Sequence, residues 1–324
     1  MPKILRLTFP SALLAALTLG AALTACGGDD DAGDNRLRVV ASTGILADLA
    51  RAVAGDDAAV SALIPAGVDP HAYEPSPDVA RRVARADVLL LNGYGLEGRM
   101  LDLIVEHRAD TAVVVVAAAG LEPRAGDAHA DDGDHATAAE QQRGVDAAAF
   151  AEGDPHFWLA VPNARHYVER IRDALTAADP PRAAGYRERA AAYLEQLTAV
   201  DAELRVVVAA IPEQRRKLVV FHDAFGYFAD AYGLQLVAAA LPGGANQQPS
   251  AGAVAALVRT VRREGVPVVY TEPQFSSPVL EAVAREAGVR VRTLYSDTFA
   301  GAVDSYVALM RANARALAEG LGEG

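Results

Sequence analysis

Three histidines and one aspartate occupy short, turn-rich segments after apolar runs, where a side chain can be offered to a ligand. His71 lies in Val68-Asp69-Pro70-His71-Ala72-Tyr73-Glu74-Pro75 and His156 in Asp154-Pro155-His156-Phe157-Trp158-Leu159. His222 lies in Val219-Val220-Phe221-His222-Asp223-Ala224-Phe225 and Asp297 in Leu294-Tyr295-Ser296-Asp297-Thr298. Three imidazoles and one carboxylate suit a divalent metal of borderline softness such as zinc. Structural zinc sites usually take two ligands from neighbouring positions; here successive members are 85, 66 and 75 positions apart. Such a site forms only when a whole fold gathers distant loops, which implies a cleft that captures metal, not a staple for a small domain.

The elements that must position these residues alternate along the chain. Strands are expected at Leu37 to Ala41, Ala58 to Ile64, Asp87 to Leu91 and Thr111 to Ala117, then at Leu218 to Phe221, Leu234 to Ala239, Val266 to Thr271 and Val289 to Leu294. Helical periodicity fills the gaps, as in Ile45, Leu46, Leu49 and Val53, and near Leu96 to His107. Ser76-Pro77 is expected to open a helix with a hydroxyl cap and a proline in the first turn. Alternating strand and helix implies parallel sheets covered on both faces. The fold class is therefore α/β, with two similar lobes, each having its own apolar core. Asn163 to Ala178 reads as one helix, and Arg182 to Ile211 as a second that spans about 40 Å at the α-helical rise, long enough to cross both lobes as a rigid strut. Ligands of open α/β sheets gather beyond the carboxyl ends of strands. His71, His222 and Asp297 follow strands in this way, with His222 expected just past the strand end. His156 is not placed by topology.

The first residues report on location. Lys3 and Arg6 precede a small, apolar stretch from Ser11 to Leu23, and Leu23-Thr24-Ala25-Cys26 matches a bacterial lipoprotein cleavage box. The stretch is too short for a comfortable membrane span and reads as a removed signal. Cys26 is the single cysteine of the chain; acylated, it leaves no thiol for a disulfide or for zinc. The expected organisation is a signal peptide over 1–25, a flexible tether over 26–35, an N-terminal lobe over 36–181, a linking helix over 182–211 and a C-terminal lobe over 212–324. A net charge of −12 with 52% hydrophobic residues indicates a globular chain and argues against nucleic acid, which needs a positive face.

Taken singly, a histidine is more often a surface or core residue than a ligand. His107 and His166, both on expected helices, are assigned structural roles. Glu74 and Asp223 are candidates for carboxylates that orient an imidazole by accepting its other N–H. A zinc hydrolase would need an open coordination position and a placed general base, and the chain has neither a His-Glu-x-x-His motif nor a nucleophile elbow.

Together, Asp69-Pro70-His71 with Tyr73-Glu74-Pro75-Ser76-Pro77, Asp154 to Leu159, His222-Asp223-Ala224-Phe225-Gly226-Tyr227-Phe228 with Tyr232-Gly233-Leu234, and Asp297 resemble the zinc/manganese-type solute-binding lipoproteins of bacterial ABC importers, the ZnuA-like and TroA-like family. The likeness covers nearly the whole chain after the signal. It implies metal ligands at His71, His156, His222 and Asp297, between two α/β lobes joined by a long helix. It implies Zn2+ as the transported ligand with Mn2+ second, because manganese-type relatives tend to place a carboxylate where His222 stands. It implies no enzyme, a permease with its ATPase subunits as partners, a monomer, and an extracytoplasmic position anchored through the lipid on Cys26. A manganese or iron importer component, or a zinc-dependent adhesin or metal store on the same fold, are the alternatives. Metal exchange is expected to move the loops around His71 and His222. Three departures stand out. The histidine-rich loop of zinc members is here an acidic segment, Asp127 to Asp134, with only His129 and His135 as weak auxiliary contacts. Gln247-Gln248-Pro249-Ser250 replaces a glutamate-proline-serine stretch, and no disulfide can form in the C-terminal lobe.

Overall fold

Val88–Leu91 is a run of one valine and three leucines, every one buried, and it lies inside a sheet whose two faces are both covered. The computed structural model describes residues 35–124, 144–241, 250–275 and 278–322. The signal peptide, Cys26 and all but the last tether residue, His129, His135 and residues 247–249 lie outside the described residues. The first sheet contains β1 (Leu37–Ala41), β2 (Ala58–Ala62), β3 (Val88–Leu91) and β4 (Val113–Val116), all parallel, in the order β2-β1-β3-β4. The second contains β5 (Lys217–His222), β6 (Gln235–Leu241), β7 (Val268–Thr271) and β8 (Arg290–Thr293), again parallel, in the order β6-β5-β7-β8. The two orders are the same, so each sheet has its switch of winding direction beside its first strand, and a crevice opens there beyond the strand ends. The edge strand β8 keeps Arg290 and Arg292 toward the more exposed side, which blunts an otherwise open edge.

Helices α1 (Gly44–Ala54), α2 (Pro77–Ala84), α3 (Arg99–His107) and α4 (Val161–Ala178) accompany the first sheet. Ser76 stands at the start of α2 with Pro77 in the first turn, but its hydroxyl makes no capping bond. The Val79 N–H that it would cap already donates to the Ser76 carbonyl at 2.9 Å. Thr43 does cap α1, accepting from Leu46 N–H at 3.2 Å.

The strut is α5, Ala183–Ala210, 28 residues long and so about 40 Å. Its buried stripe, Tyr186, Ala190, Tyr193, Leu197, Val200, Leu204 and Val208, recurs every three or four residues and keeps one side of the helix on the core. Near its start, Arg189 donates to the Val53 and Ala54 carbonyls at 2.9 and 2.8 Å and pairs with Asp57 at 2.6 Å, closing the end of α1. Past it follow α6 (Gly226–Tyr232), α7 (Ala251–Glu264), α8 (Pro278–Ala287) and α9 (Tyr306–Leu317). Near the end of α5, Arg205 donates to the Ala231 carbonyl at 2.9 Å, Asp201 accepts from Tyr232 Oη at 3.0 Å, and Glu203 pairs with Arg311 of α9 at 2.7 Å. The helix is thus tied to both halves.

Separate cores for the two lobes do not form. One buried cluster runs from β1, β3 and α1 through α4 and α5 into Leu218, Val220, Val268, Tyr270, Leu309 and Leu317, while a smaller cluster covers only the other face of the second sheet. Helix α9 contributes to this continuity. Although it follows β8, it packs on α5, and Tyr306 N–H donates to Asp48 of α1 at 2.8 Å. Among the described residues no helix is long and apolar enough to cross a membrane.

Candidate metal centre

The four predicted residues meet. One ligand atom from each of His71, His156, His222 and Asp297 lies within 4.8 Å of all the others. His156 Nε2 stands 3.1 Å from His71 Nε2 and 3.3 Å from His222 Nε2; Asp297 Oδ1 is 3.7 Å from His156 Nε2 and Oδ2 is 3.3 Å from His222 Nε2. His222, expected one residue past the strand, is the last residue of β5, and its position is fixed by the ladder to β6. Asp297 follows β8, and His71 sits in a single turn of 3-10 helix, Pro70–Ala72, in the loop after β2. His156 opens the turn Phe157–Leu159 ahead of α4. His156, His222 and Asp297 are buried, whereas His71 is half-buried and is the member of the cluster open to solvent.

Asp69-Pro70-His71 and Asp154-Pro155-His156 share a local device. In each, the aspartate Oδ1 accepts the N–H of the histidine two residues on, at 3.0 Å, an Asx turn that sets the direction of the imidazole. Asp154 Oδ1 also lies 2.8 Å from His156 Nδ1, and Glu272 Oε2 lies 2.7 Å from His222 Nδ1. At His156 the carboxylate bonded at Nδ1 keeps the proton there, so the neutral ring presents an Nε2 lone pair to the centre, while Glu272 faces His222 Nδ1 as an ion-pair partner. Lone pairs 3.3 Å apart repel unless a proton or a cation lies between them. Asp297 Oδ1 is buried without a hydrogen-bond partner, a second sign that the cluster is built around a positive charge.

Charges in the cluster shift accordingly. Burial alone would pull His222 down, but Glu272 and Asp297 outweigh it and hold the ring well above its usual 6.5. Burial would raise Asp297, yet the imidazoles, His222 foremost, hold it well below the usual carboxylate range. Asp69 is pushed up to about 6, first by burial and then by the like charge of Asp297.

The carboxylates that support the rings differ from those expected. Glu74 lies at the surface, paired with Arg99 at 3.2 Å. Asp223 is exposed, because successive side chains at a strand end point to opposite sides and His222 points inward. Asp154 and Glu272 stand by the rings instead. Two signals marked them: the repeated Asp-Pro-His triplet, and the position of Glu272 just beyond β7, the same strand-end rule that singled out His222 and Asp297. Replacing Asp154 by asparagine or Glu272 by glutamine is expected to weaken metal binding by about 10- to 100-fold, the usual effect of losing such a partner. Isothermal titration checks this, and unchanged affinity in both variants would remove the role. His107 Nδ1 lies 3.1 Å from the Leu103 carbonyl and His166 Nε2 2.9 Å from the Ala119 carbonyl; neither belongs to the cluster.

Loops from both sheets are fastened around the centre. Gly67 N–H donates to Thr298 Oγ1 at 2.7 Å, joining the His71 loop to the Asp297 segment, and Trp158 Nε1 donates to the Ser296 carbonyl at 2.9 Å.

The family model described as zinc-uptake complex component A, periplasmic (ZnuA), matches residues 39–320. The manganese-binding lipoprotein MntA of Halalkalibacterium halodurans is 30% identical over 93% of this chain and 96% of its own. The iron-binding protein YfeA of Yersinia pestis is 32% identical over 89% of this chain and 87% of its own. The periplasmic zinc-binding protein TroA from Treponema pallidum superposes with a TM-score of 0.76 at 25% identity, over 89% of this chain and 100% of that one.

Proposed function

This chain belongs to the ZnuA family, metal-binding substrate-binding proteins of ABC importers and not enzymes, and on that premise we propose that it captures Zn2+ outside the cytoplasm and delivers it to a membrane permease. His71, His156, His222 and Asp297 are the ligands in this reading. The observation that carries it is the spacing of the imidazole nitrogens. Ligands at zinc–nitrogen bond lengths in a tetrahedron lie about 3.3 Å apart, and the Nε2 atoms are 3.1 and 3.3 Å apart. Three nitrogens and one oxygen favour zinc over manganese, which takes more oxygen ligands. Zinc is expected to bind once per chain, with manganese competing only in large excess. Competition titration followed by metal analysis tests this; less than one zinc per chain, or manganese displacing zinc at equal concentration, would overturn it. The second outcome would favour the manganese reading that the name of MntA suggests.

Capture and release in this proposal need little hinge motion. A helix of about 40 Å tied to both halves and a continuous core resist wide opening. Since His222 is held in a strand, the movement is assigned to the His71 loop and not shared between the two. Distances between spin labels on α3 and α7 are expected to change little on zinc loading. A rotation of tens of degrees would reject this mechanism while leaving zinc capture standing. The lipid on Cys26 would hold the protein near its permease, and mass spectrometry of the mature N-terminus tests that anchor.

A further inference from the structure

Beside the four clustered residues lies Gln274, two positions past Glu272. Its Nε2 lies 3.1 Å from Asp297 Oδ2, 2.9 Å from Ser296 Oγ and 3.3 Å from Glu272 Oε2. Its Oε1 is buried without a hydrogen-bond partner. The orientation of the amide follows from this arrangement: turned over, the carbonyl would face two carboxylates. Leaving a carbonyl unpaired is unfavourable, so the environment selects the N–H side for Asp297 strongly enough to tolerate it. Ser296 Oγ donates to Glu272 Oε2, which leaves its own lone pairs to receive the Gln274 N–H. Asp154 and Glu272 orient imidazoles; Gln274 orients the one carboxylate of the set.

The two oxygens of Asp297 are therefore unequal. Oδ2 shares its charge with the Gln274 N–H and faces His222, while Oδ1 has no hydrogen-bond partner. We propose that Gln274 makes Asp297 bind metal through one oxygen, and in this way sets the preference for a four-coordinate ion over ions that demand more ligands. This rests on the reading of the four residues as the metal site. With one oxygen and three nitrogens the coordination is tetrahedral, as zinc prefers in closed sites. Without the Gln274 N–H, the carboxylate turns until both oxygens reach the ion, the coordination number rises, and an oxygen-preferring ion such as manganese is penalised less. Gln274 is thus a positioning residue that acts through Asp297.

The test uses the full mature chain with Co2+ as a probe, because four-coordinate cobalt absorbs visible light far more strongly than five- or six-coordinate cobalt. Wild type is expected to show the intense four-coordinate bands. Gln274→Met, which keeps the length of the side chain and removes its donor, is expected to lose much of that intensity. Its zinc-to-manganese affinity ratio should fall about tenfold or more, in the range seen for groups that orient ligands. Gln274→Ala is the second variant should the methionine disturb folding, judged by near-UV circular dichroism. Weak, six-coordinate-type bands in the wild type would overturn the proposal without any variant. Intense bands and an unchanged ratio in both variants would overturn it while leaving the site reading intact. Cobalt binding that His71→Ala does not weaken would overturn the site reading and this proposal with it.

Discussion

Replacing His71 by alanine is expected to lower zinc affinity more than about 100-fold, beyond the 10- to 100-fold loss usual for a group that only orients a ligand, and to leave the metal-free fold nearly unchanged. His71 is half-buried in a loop, so its loss opens no deep cavity and strands no buried charge. His222→Ala should behave differently. Its ring lies between Glu272 and Asp297, all three buried, so truncation leaves two buried carboxylates without their shared partner. Removing one member of a buried pair costs about 3–5 kcal/mol, so this variant should lose zinc binding and also unfold earlier without metal. His107→Ala and His166→Ala should alter neither property greatly. Titration calorimetry and denaturant unfolding on the four proteins give the answer. Equal losses of affinity in all four would mean that the cluster is not the binding site, and a His222 variant as stable as the His71 variant would refute the role of the buried pair.

Zinc should raise the thermal midpoint by roughly 8 °C at a thousandfold excess over its dissociation constant. Mass action then contributes about 4 kcal/mol, and for domains of this size each kcal/mol moves the midpoint by about 2 °C or more. At a fixed zinc concentration the shift should widen as pH rises from 6 to 8, and the sign follows from the groups in the site. Without metal, His222 is held well above its usual value by Glu272 and Asp297. A raised folded value stabilises most below the unfolded value of about 6.5, and that contribution is lost as pH rises through the folded value. The metal-free protein thus loses a stabilising contact on going to higher pH. Zinc needs the neutral ring, so loading releases that proton and affinity grows over the same interval. Asp69, pushed up to about 6, adds its negative charge to the site in the lower part of the interval and works in the same direction. Scanning calorimetry of metal-free and zinc-loaded protein at pH 6, 7 and 8 is the measurement. A gap that narrows toward pH 8 would contradict the assignment of His222 as the ligand that must give up a proton.

Much of this molecule was legible in its residues because the determinants are local. Alternation of apolar strands with amphipathic helices specified the α/β class, and β1 begins and ends where its apolar run does. A run rich in Ala, Arg, Glu and Leu without proline before Pro212 made α5 readable as one long helix. His71, His222 and Asp297 stood out because strand-to-loop transitions are visible in sequence, and His156 through its Asp-Pro-His context. What the chain alone left open depends on which distant groups face each other. Asp223 is the carboxylate next to His222 along the chain, but neighbours at a strand end point to opposite sides, so the carboxylate beside the His222 ring is Glu272, while Glu74 pairs with Arg99 at the surface. Separate cores seemed to follow from repeating halves, yet α9 folds back onto α5 and α1 and fuses them. Gln274 carried no mark at all, since an amide gains its role only when Asp297, Ser296 and Glu272 converge on its amino group. Sequence determined the elements and the chemistry of the ligands, because both follow from residue type and short-range spacing. Tertiary structure alone decided the long-range partners, Glu272 at His222 and Gln274 at Asp297, because contacts between segments that follow different strands depend on how the sheet is wound and not on adjacency along the chain.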